Sequence, residues 1–217
     1  MARYFRKLDN RIDALRHREE LAILRRWLRG RVFDCTIGVG RFIGQLPGVS
    51  AYEGMDLSAE FVAYVTREYP QVPAKVADLT AGISQPDDRF DSVICLRSLS
   101  AIGQLHRILH EMLRVARPGG IVVVDYGRRA RPEARVRGES IAIDSEDFDG
   151  AIAESGAEVM ARYRVDALLT RVKVRLRIFR FLNGGLGWLV PDWMLMLAER
   201  CFAPLLWQRQ IVVLRKR

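Results

Sequence analysis

An aspartate and two glycines stand where one short apolar run gives way to the next. The residues are Asp34, Gly38 and Gly40, within the stretch 32–42. Glycine lets the backbone turn tightly and approach a ligand closely, and a helix that starts there offers unpaired amides. We therefore predict a buried strand over 31–36, a tight turn that contacts a nucleotide-like ligand, and a helix over 40–46.

The spacing of the glycines separates two ligand classes. A dinucleotide fingerprint needs a third glycine at position 43, where this chain has Ile43, and the next glycine is Gly44. A nicotinamide-dependent oxidoreductase is therefore the least favoured interpretation. A turn with a purely structural role remains an alternative to a ligand-binding turn.

Further acidic and polar residues follow later predicted strands. Asp56 ends a strand predicted over 51–56, and Asp78 ends another over 74–78. An acidic residue after the second strand of such a unit is placed to accept hydrogen bonds from ribose hydroxyls. A fourth strand, 91–96, leads directly into Arg97.

The helical pattern is strongest over 103–116, where apolar residues recur at three-to-four spacing. A strand follows over 121–126, then a helix over 145–155 and a strand over 157–165. An amphipathic helix is also predicted near the start of the chain, over 10–29.

In order and spacing, these features resemble a class I S-adenosylmethionine-dependent methyltransferase over roughly residues 31–165. The resemblance rests on Asp34 with its glycines, Asp56-Leu57-Ser58, Asp78, Phe90-Asp91 and Arg117-Pro118-Gly119-Gly120. One residue departs from the family pattern, because Thr36 stands where the turn usually has a glycine. A β-branched residue tolerates positive φ poorly, so we expect this turn to be built differently.

The resemblance implies an α/β, Rossmann-like fold with an open, mostly parallel seven-stranded sheet and helices on both faces. It divides a single domain into an N-terminal cap helix (1–30), a cofactor-binding core (31–165), an insertion (166–206) and a final strand (207–217).

The insertion is too long for a plain loop between the last two strands, which form a hairpin in the family. It is apolar and basic, and it contains Trp188 and Trp193. We predict that it folds over the carboxyl edge of the sheet and builds an acceptor pocket with these tryptophans. A homodimer interface and an anionic membrane surface are the alternative environments for its apolar residues.

S-adenosylmethionine is the cofactor that the resemblance implies. Asp34 and the turn would hold its amino-acid end, Asp56 its ribose, Asp78 with Leu79 its adenine, and the residues after strand 4 would lie under the methyl group. The implied cofactor-binding residues are Asp34, Thr36, Gly38, Gly40, Asp56, Leu57, Asp78, Leu79, Cys95, Leu96 and Arg97. Each of the three aspartates has an alternative role as a turn or helix-capping residue.

Methyl transfer from a sulfonium depends mainly on alignment, and a general base is needed only when the acceptor must lose a proton. Tyr126, at the carboxyl edge of strand 5, is the candidate for the acceptor site. His17 lies on the first helix. His106 and His110 stand four residues apart without a third ligand, so we predict surface histidines and no metal site.

The charge and the cysteine content of the chain indicate its binding partners and its cellular compartment. The 217 residues carry a net charge of +9, and the basic residues concentrate at both flanks of the core. Such flanks attract an anionic membrane or nucleic acid weakly, and solvated surface arginines are the equal alternative. Three cysteines without metal-like spacing fit reduced thiols. The absence of a signal peptide and of a long apolar run predicts a cytoplasmic protein, with peripheral membrane contact as the alternative.

Taken together, the sequence predicts a methyltransferase that acts on a small-molecule acceptor, apolar and natural-product- or lipid-like. An RNA methyltransferase is the alternative, although Leu96-Arg97-Ser98-Leu99 after strand 4 does not match the Asn-Pro-Pro-Tyr type of motif. A non-catalytic methyltransferase-like partner subunit is a third interpretation.

Overall fold

The computed structural model describes residues 11–102, 104–127, 145–166, 191–206 and 209–217. The helices are α1 (Arg11–Trp27), α2 (Ala59–Glu68), α3 (Leu99–Ile102), α4 (Leu105–Val115), α5 (Ser145–Ser155) and α6 (Asp192–Leu206). The strands are β1 (Gly30–Asp34), β2 (Val49–Asp56), β3 (Ala74–Val76), β4 (Phe90–Cys95), β5 (Ala116–Gly127), β6 (Glu158–Val165) and β7 (Arg209–Arg215).

The strands form a single seven-stranded sheet in the order β3-β2-β1-β4-β5-β7-β6. The first five strands run parallel, whereas β7 runs antiparallel to both β5 and β6. Asp34, at the end of β1, stands opposite Gly54 on one side and Ile94 on the other. The carboxyl ends of β1, β2 and β4 therefore meet at one edge, and the predicted Rossmann-like sheet is confirmed.

Apolar side chains cover both faces of the sheet, as the unbroken apolar runs of its central strands require. On one face, Ile108 and Met112 of α4 and Phe148 of α5 pack in the same cluster as the β5 residues Val122 and Val124.

On the other face, α1 contributes Leu24 and Leu28 to a cluster with strand residues such as Val32, Val123 and Val213. The predicted amphipathic first helix is thereby confirmed.

The helix predicted over 40–46 is wrong. Residues 37–45 instead form a series of tight turns closed by backbone hydrogen bonds between residues three apart. The φ angles of Gly38, Gly40 and Gly44 are 53°, 71° and 73°, in the left-handed region that interrupts a right-handed helix. Three such residues within seven positions leave no stretch long enough to propagate a helix.

Strand boundaries also differ from the prediction near the Arg-Pro-Gly-Gly segment. The strand predicted over 121–126 extends from Ala116 to Gly127. The amide of Gly119 donates to the carbonyl of Lys216, and the Lys216 amide donates to the Gly120 carbonyl, so the chain's last residues continue the pairing. At β3 the strand is shorter than predicted, because Asp78 begins a 3-10 turn over Leu79–Ala81.

Several predicted features lie outside the described residues. These are the part of the insertion that contains Trp188 and the first two residues of the final strand predicted over 207–217. Of the insertion predicted over 166–206, the structure describes Asp166 and residues 191–206.

Candidate cofactor and acceptor site

Asp34 is buried beneath the glycine turn, and its carboxylate is engaged on both oxygens. The Tyr52 hydroxyl donates to Oδ2 at 2.7 Å, and the Thr36 amide donates to Oδ1 at 3.1 Å. Burial raises the pKa of Asp34 to about 6, although both hydrogen bonds favour the ionised form. Asp34 therefore fixes the path of the turn, so the backbone of the turn is what remains to hold an incoming ligand.

Asp56 joins the turn to the end of β2. Its Oδ2 accepts from the Gly38 amide at 2.9 Å, and its Oδ1 accepts from the Ser58 amide at 2.9 Å. A carboxylate oxygen can accept more than one hydrogen bond, so both oxygens keep capacity for ribose hydroxyls. Ser58 caps α2 by accepting a hydrogen bond from the Phe61 amide.

The turn is built without positive φ at Thr36, in agreement with the expectation from its β-branched side chain. The left-handed residues are the three glycines, and the amide of Val39 makes no hydrogen bond within the described ranges. A Cβ on Gly40 would lie 2.5 Å from Ile43 Cδ1 and 3.2 Å from the Tyr69 ring. Gly40 is therefore required by packing and conformation as well as by any ligand.

Three of the implied cofactor-binding side chains, which follow β2 and β3, differ in their exposure to solvent. Leu79 is buried, whereas Asp78 is exposed and caps the 3-10 turn by accepting from the Thr80 amide at 2.8 Å. The hydrogen bonds from Thr80 lower the pKa of Asp78. Leu57 is 70% exposed beside Asp56, so it offers an apolar surface that a planar base would cover. These features fit the adenosine part of the implied cofactor.

The last residue of β4 and the residues that follow it connect the sheet to the first helix. Cys95 is fully buried, and burial raises the pKa of its thiol. Arg97 has a φ of 65°, and its amide donates to Asp125 Oδ1 at 2.7 Å. Its guanidinium binds both oxygens of Glu20 on α1, at 2.8 and 2.9 Å. Arg97 therefore ties the end of β4 to the first helix.

A buried ionic cluster continues from Arg97. Arg209 of β7 contacts Glu20, donates to Asp125 Oδ2 at 2.7 Å and pairs with Asp166 at 3.0 Å. Burial opposes ionisation of Glu20, but Arg209 and Arg97 outweigh it and lower its pKa to about 2. A cavity of about 200 Å³ lies within this cluster, lined by Arg16, Arg97, Asp125, Gly127, Asp166 and Arg209.

Helix α1 also reaches the glycine turn. The His17 ring stacks on Phe42 with centroids 5.4 Å apart, and its Nε2 lies 3.3 Å from Gln45 Oε1. Burial lowers the pKa of His17, assisted by Arg41. Arg25 donates to the Gln45 carbonyl at 3.0 Å. The helix therefore contacts the turn after β1 as well as the ends of β4 and β7.

The other candidates for a base or a ligand are Tyr126, near the end of β5, and the two histidines of α4. The Tyr126 side chain is buried beside Phe148 at 4.3 Å, in the core on the face opposite α1, and its hydroxyl donates to Gln210 at 3.0 Å. On α4, His106 lies 2.9 Å from Glu154, and His110 is exposed. The Tyr126 side chain is thus held in the core, and its role at the acceptor site stays a prediction.

A larger cavity of about 630 Å³ lies between α1, β6 and α6. Its lining is Glu19, Ala22, Ile23, Arg26, Arg162, Tyr163, Arg164, Val165, Met196, Arg200 and Gln210. Sequence reasoning missed this site, because its residues come from segments that share no motif. The only signal available was the basic and apolar composition of the insertion.

Helix α6 is held against the first helix by apolar and ionic contacts. Leu195 and Met196 pack on Leu15, and Asp192 pairs with Arg18 at 2.5 Å. Trp193 is 65% exposed and lines neither of these two cavities. The described end of the insertion thus packs on α1, while Trp193 faces outward rather than into the pocket predicted for it.

Comparison with known proteins agrees with this geometry. Residues 33–124 match the family model of a methyltransferase domain. The chain is 29% identical over 120 residues to a phosphatidylethanolamine N-methyltransferase from Cereibacter sphaeroides. That match covers 49% of this chain and 56% of the relative, so it spans little more than half of the relative's length.

Solved structures share the fold at low sequence identity. The cyclase SpnF superposes with a TM-score of 0.65 at 23% identity, covering 92% of this chain and 81% of that one. A geranyl diphosphate C-methyltransferase from Streptomyces coelicolor superposes with a TM-score of 0.67 at 15% identity, covering 92% and 78%. Residues 33–124 therefore resemble a methyltransferase domain, and the chain has the same Rossmann-like fold as the solved structures on which it superposes. Within the described residues, no helix is long and apolar enough to span a membrane.

Proposed function

We propose that this protein transfers a methyl group from S-adenosylmethionine to an amphipathic, lipid-like small molecule. The observation that carries the proposal is the cavity of about 630 Å³, which combines an apolar wall with several arginines beside the first helix. The relative from Cereibacter sphaeroides is named for methylation of a phospholipid, which favours the same acceptor class. An RNA methyltransferase has no comparable support among the described residues.

On this proposal, the carboxyl ends of β1 and β2 bind the cofactor. Asp56 accepts hydrogen bonds from the ribose, Leu57 and Leu79 contact the adenine, and the amides of the glycine turn hold the carboxylate of the amino-acid end. The cofactor supplies an activated methyl group, so the chain's own task is to orient the acceptor and exclude water. The contacts of α1 with the turn and with Arg97 fit a helix that covers this site.

We also propose that α6 contacts an anionic membrane. Trp193, Met194 and Leu197 are 65%, 46% and 54% exposed and share one side of the helix, whereas Glu199 on the opposite side is fully buried. The side that faces outward is thus the apolar one. The chain's net charge of +9 favours an anionic lipid surface as its partner over a neutral one.

The acceptor class is tested by offering radiolabelled S-adenosylmethionine with vesicles that contain phosphatidylethanolamine, with geranyl diphosphate, or with total RNA. We expect label in the lipid fraction, and we expect any RNA binding to be weak and to fall steeply with salt, because phosphate contacts release counterions. Label in RNA alone, with binding that survives physiological salt, would overturn the lipid-like acceptor.

A further inference from the structure

One side chain on the wall of the larger cavity is a half-buried carboxyl group with no hydrogen-bond or ion-pair partner among the described residues. Glu19 lies on α1, is half-buried, and makes no hydrogen bond or ion pair within the described part of the chain. Its neighbours include Glu199 and Asp166, whose charges oppose its ionisation. Polar groups withdrawn from water are normally paired, so a carboxyl group left unpaired at a cavity wall indicates a place for a ligand.

Basic side chains lie on two helices around the same cavity. Arg26 of α1 and Arg200 of α6 are exposed at the cavity, and neither forms an ion pair with a described residue. Arg162 is partly neutralised, because it pairs with Asp149 at 2.7 Å. Two guanidinium groups from different helices can bind one phosphate through several hydrogen bonds.

Apolar residues complete the lining. Ala22 and Ile23 of α1, Val165 of β6 and Met196 of α6 face the same space. A ligand that satisfies all three parts of the wall needs a cation, an anion and an apolar portion. Those properties occur together in an amphiphile whose headgroup is a phosphate ester carrying a primary amine.

We infer that this cavity binds the amine-bearing phosphate ester headgroup of the acceptor, with its ammonium group on Glu19 and its phosphate on Arg26 and Arg200. The inference concerns the same acceptor and therefore rests on the proposed function. Glu19 lies close to the smaller ionic cavity, because the adjacent Glu20 pairs with Arg97 and Arg209, which line that cavity. An amine held at Glu19 would thus be presented toward the ends of β4 and β5.

The inference predicts a dependence of binding on pH. Burial, followed by the charges of Glu199 and Asp166, raises the pKa of Glu19 to about 8. An ammonium group binds the ionised carboxylate, so affinity should increase as pH rises from 6.5 to 8.5. The charged and titratable groups around Glu19 are Glu20, Arg26, Arg162, Tyr163, Arg164, Asp166, Glu199, Arg200 and Arg209.

The first test uses soluble headgroups and calorimetry or ligand-observed NMR. Wild-type protein should bind glycerophosphoethanolamine more tightly at pH 8.5 than at pH 6.5, and should bind glycerol 3-phosphate without this increase. Glu19→Gln should weaken binding of the amine ligand about tenfold, the loss expected for a charged partner, and spare glycerol 3-phosphate. The double variant Arg26→Ala/Arg200→Ala should weaken both ligands.

Arg67→Ala is the matched control, since Arg67 is an exposed arginine on α2 that pairs with Glu68, away from the cavity. It should bind both ligands as the wild type does. Binding of S-adenosylhomocysteine should be unchanged in all variants, which shows that they are folded. Equal affinity of wild type and Glu19→Gln for the amine ligand would overturn the inference.

A second arm separates this site from the proposed reaction. With vesicles that contain phosphatidylethanolamine, Glu19→Gln should raise KM at least tenfold. Methylation with an unchanged KM in that variant would overturn the inference and leave the proposed function intact. Headgroup binding that depends on Glu19, without methylation of any amphiphile, would support the site and contradict the proposed reaction.

Discussion

Among the single residues predicted to bind the cofactor, Asp56 connects the glycine turn to the segment that begins α2. Its two oxygens accept hydrogen bonds from the amides of Gly38 and Ser58, so it holds both the turn and the residue that caps α2. The sequence predicted this position through its resemblance to the family. It could not predict that the neighbouring Asp34 would be sealed by Tyr52, because that contact depends on the register of β1 with β2.

Asp56→Ala should weaken binding of S-adenosylhomocysteine by about 1–3 kcal/mol, since it removes a charged hydrogen-bond acceptor. Fluorescence titration of the variant measures the change. Asp87→Ala, at an exposed carboxylate that pairs with Arg114, serves as the control and should bind with wild-type affinity. Unchanged affinity in Asp56→Ala would show that the ribose is held elsewhere.

Glu19 should lower stability at alkaline pH. Its pKa is raised to about 8 in the folded chain, so the folded state holds the proton more tightly than the unfolded state does. The stability that the protonated group contributes is complete below its unfolded pKa and is lost as pH rises toward 8. Glu19→Gln should therefore raise the melting temperature at pH 8.5 by about 2–4 °C, the shift that about 1 kcal/mol produces in a domain of this size.

Differential scanning calorimetry at pH 5 and pH 8.5 tests this effect. The increase in melting temperature caused by Glu19→Gln should be larger at pH 8.5 than at pH 5. A gain that is equal at both values, or a loss that grows with pH, would contradict the raised pKa.

At the scale of elements, the strands and most helices could be predicted, because apolar periodicity and capping residues act locally. The absence of a helix over 40–46 could not be predicted. It depends on positive φ at three glycines, and the sequence does not show which conformation a glycine adopts. The ionic cluster was also beyond the sequence, because Glu20 meets Arg97 and Arg209 across 77 and 189 positions. No spacing rule connects residues so far apart.

Glu20→Gln should loosen α1 from the sheet. The variant leaves Arg97 and Arg209 without their shared carboxylate, and breaking a buried pair in this way costs about 3–5 kcal/mol. Urea denaturation should show the loss, whereas Glu60→Gln on the exposed side of α2 should unfold near the wild-type midpoint. The contribution of Glu20 to the free energy of unfolding is present above pH 4.5. It declines as pH falls toward 2, where the carboxylate is protonated.

If α1 covers the cofactor, Glu20→Gln should also weaken cofactor binding at pH 7. Hydrogen exchange of the α1 amides should become faster in the variant. Wild-type exchange and affinity would show that the ionic cluster does not hold the helix in place.

For the whole molecule, the outward apolar side of α6 predicts reversible membrane contact. Cys201 is exposed on the same side, while Cys35 and Cys95 are buried, so an environment-sensitive fluorophore can be attached at Cys201. Anionic vesicles should shift its emission to shorter wavelength, and neutral vesicles should do so much less.

The double variant Trp193→Ser/Leu197→Ser should lose most of the vesicle response. Val76→Ser, at a valine 54% exposed on β3 near the opposite edge of the sheet, should retain it. An emission shift that follows protein concentration without vesicles, together with a dimer in sedimentation, would assign this surface to a second copy of the chain.

Cofactor binding at the carboxyl ends of β1 and β2 is the premise of the proposed reaction. Calorimetric titration of the full chain with S-adenosylhomocysteine measures it. We predict a single site with a dissociation constant on the order of micromolar, plausible for a small ligand buried with a few polar contacts. Absence of heat at two temperatures, from protein shown by circular dichroism to be folded, would contradict the assignment of this site and the reaction proposed for it.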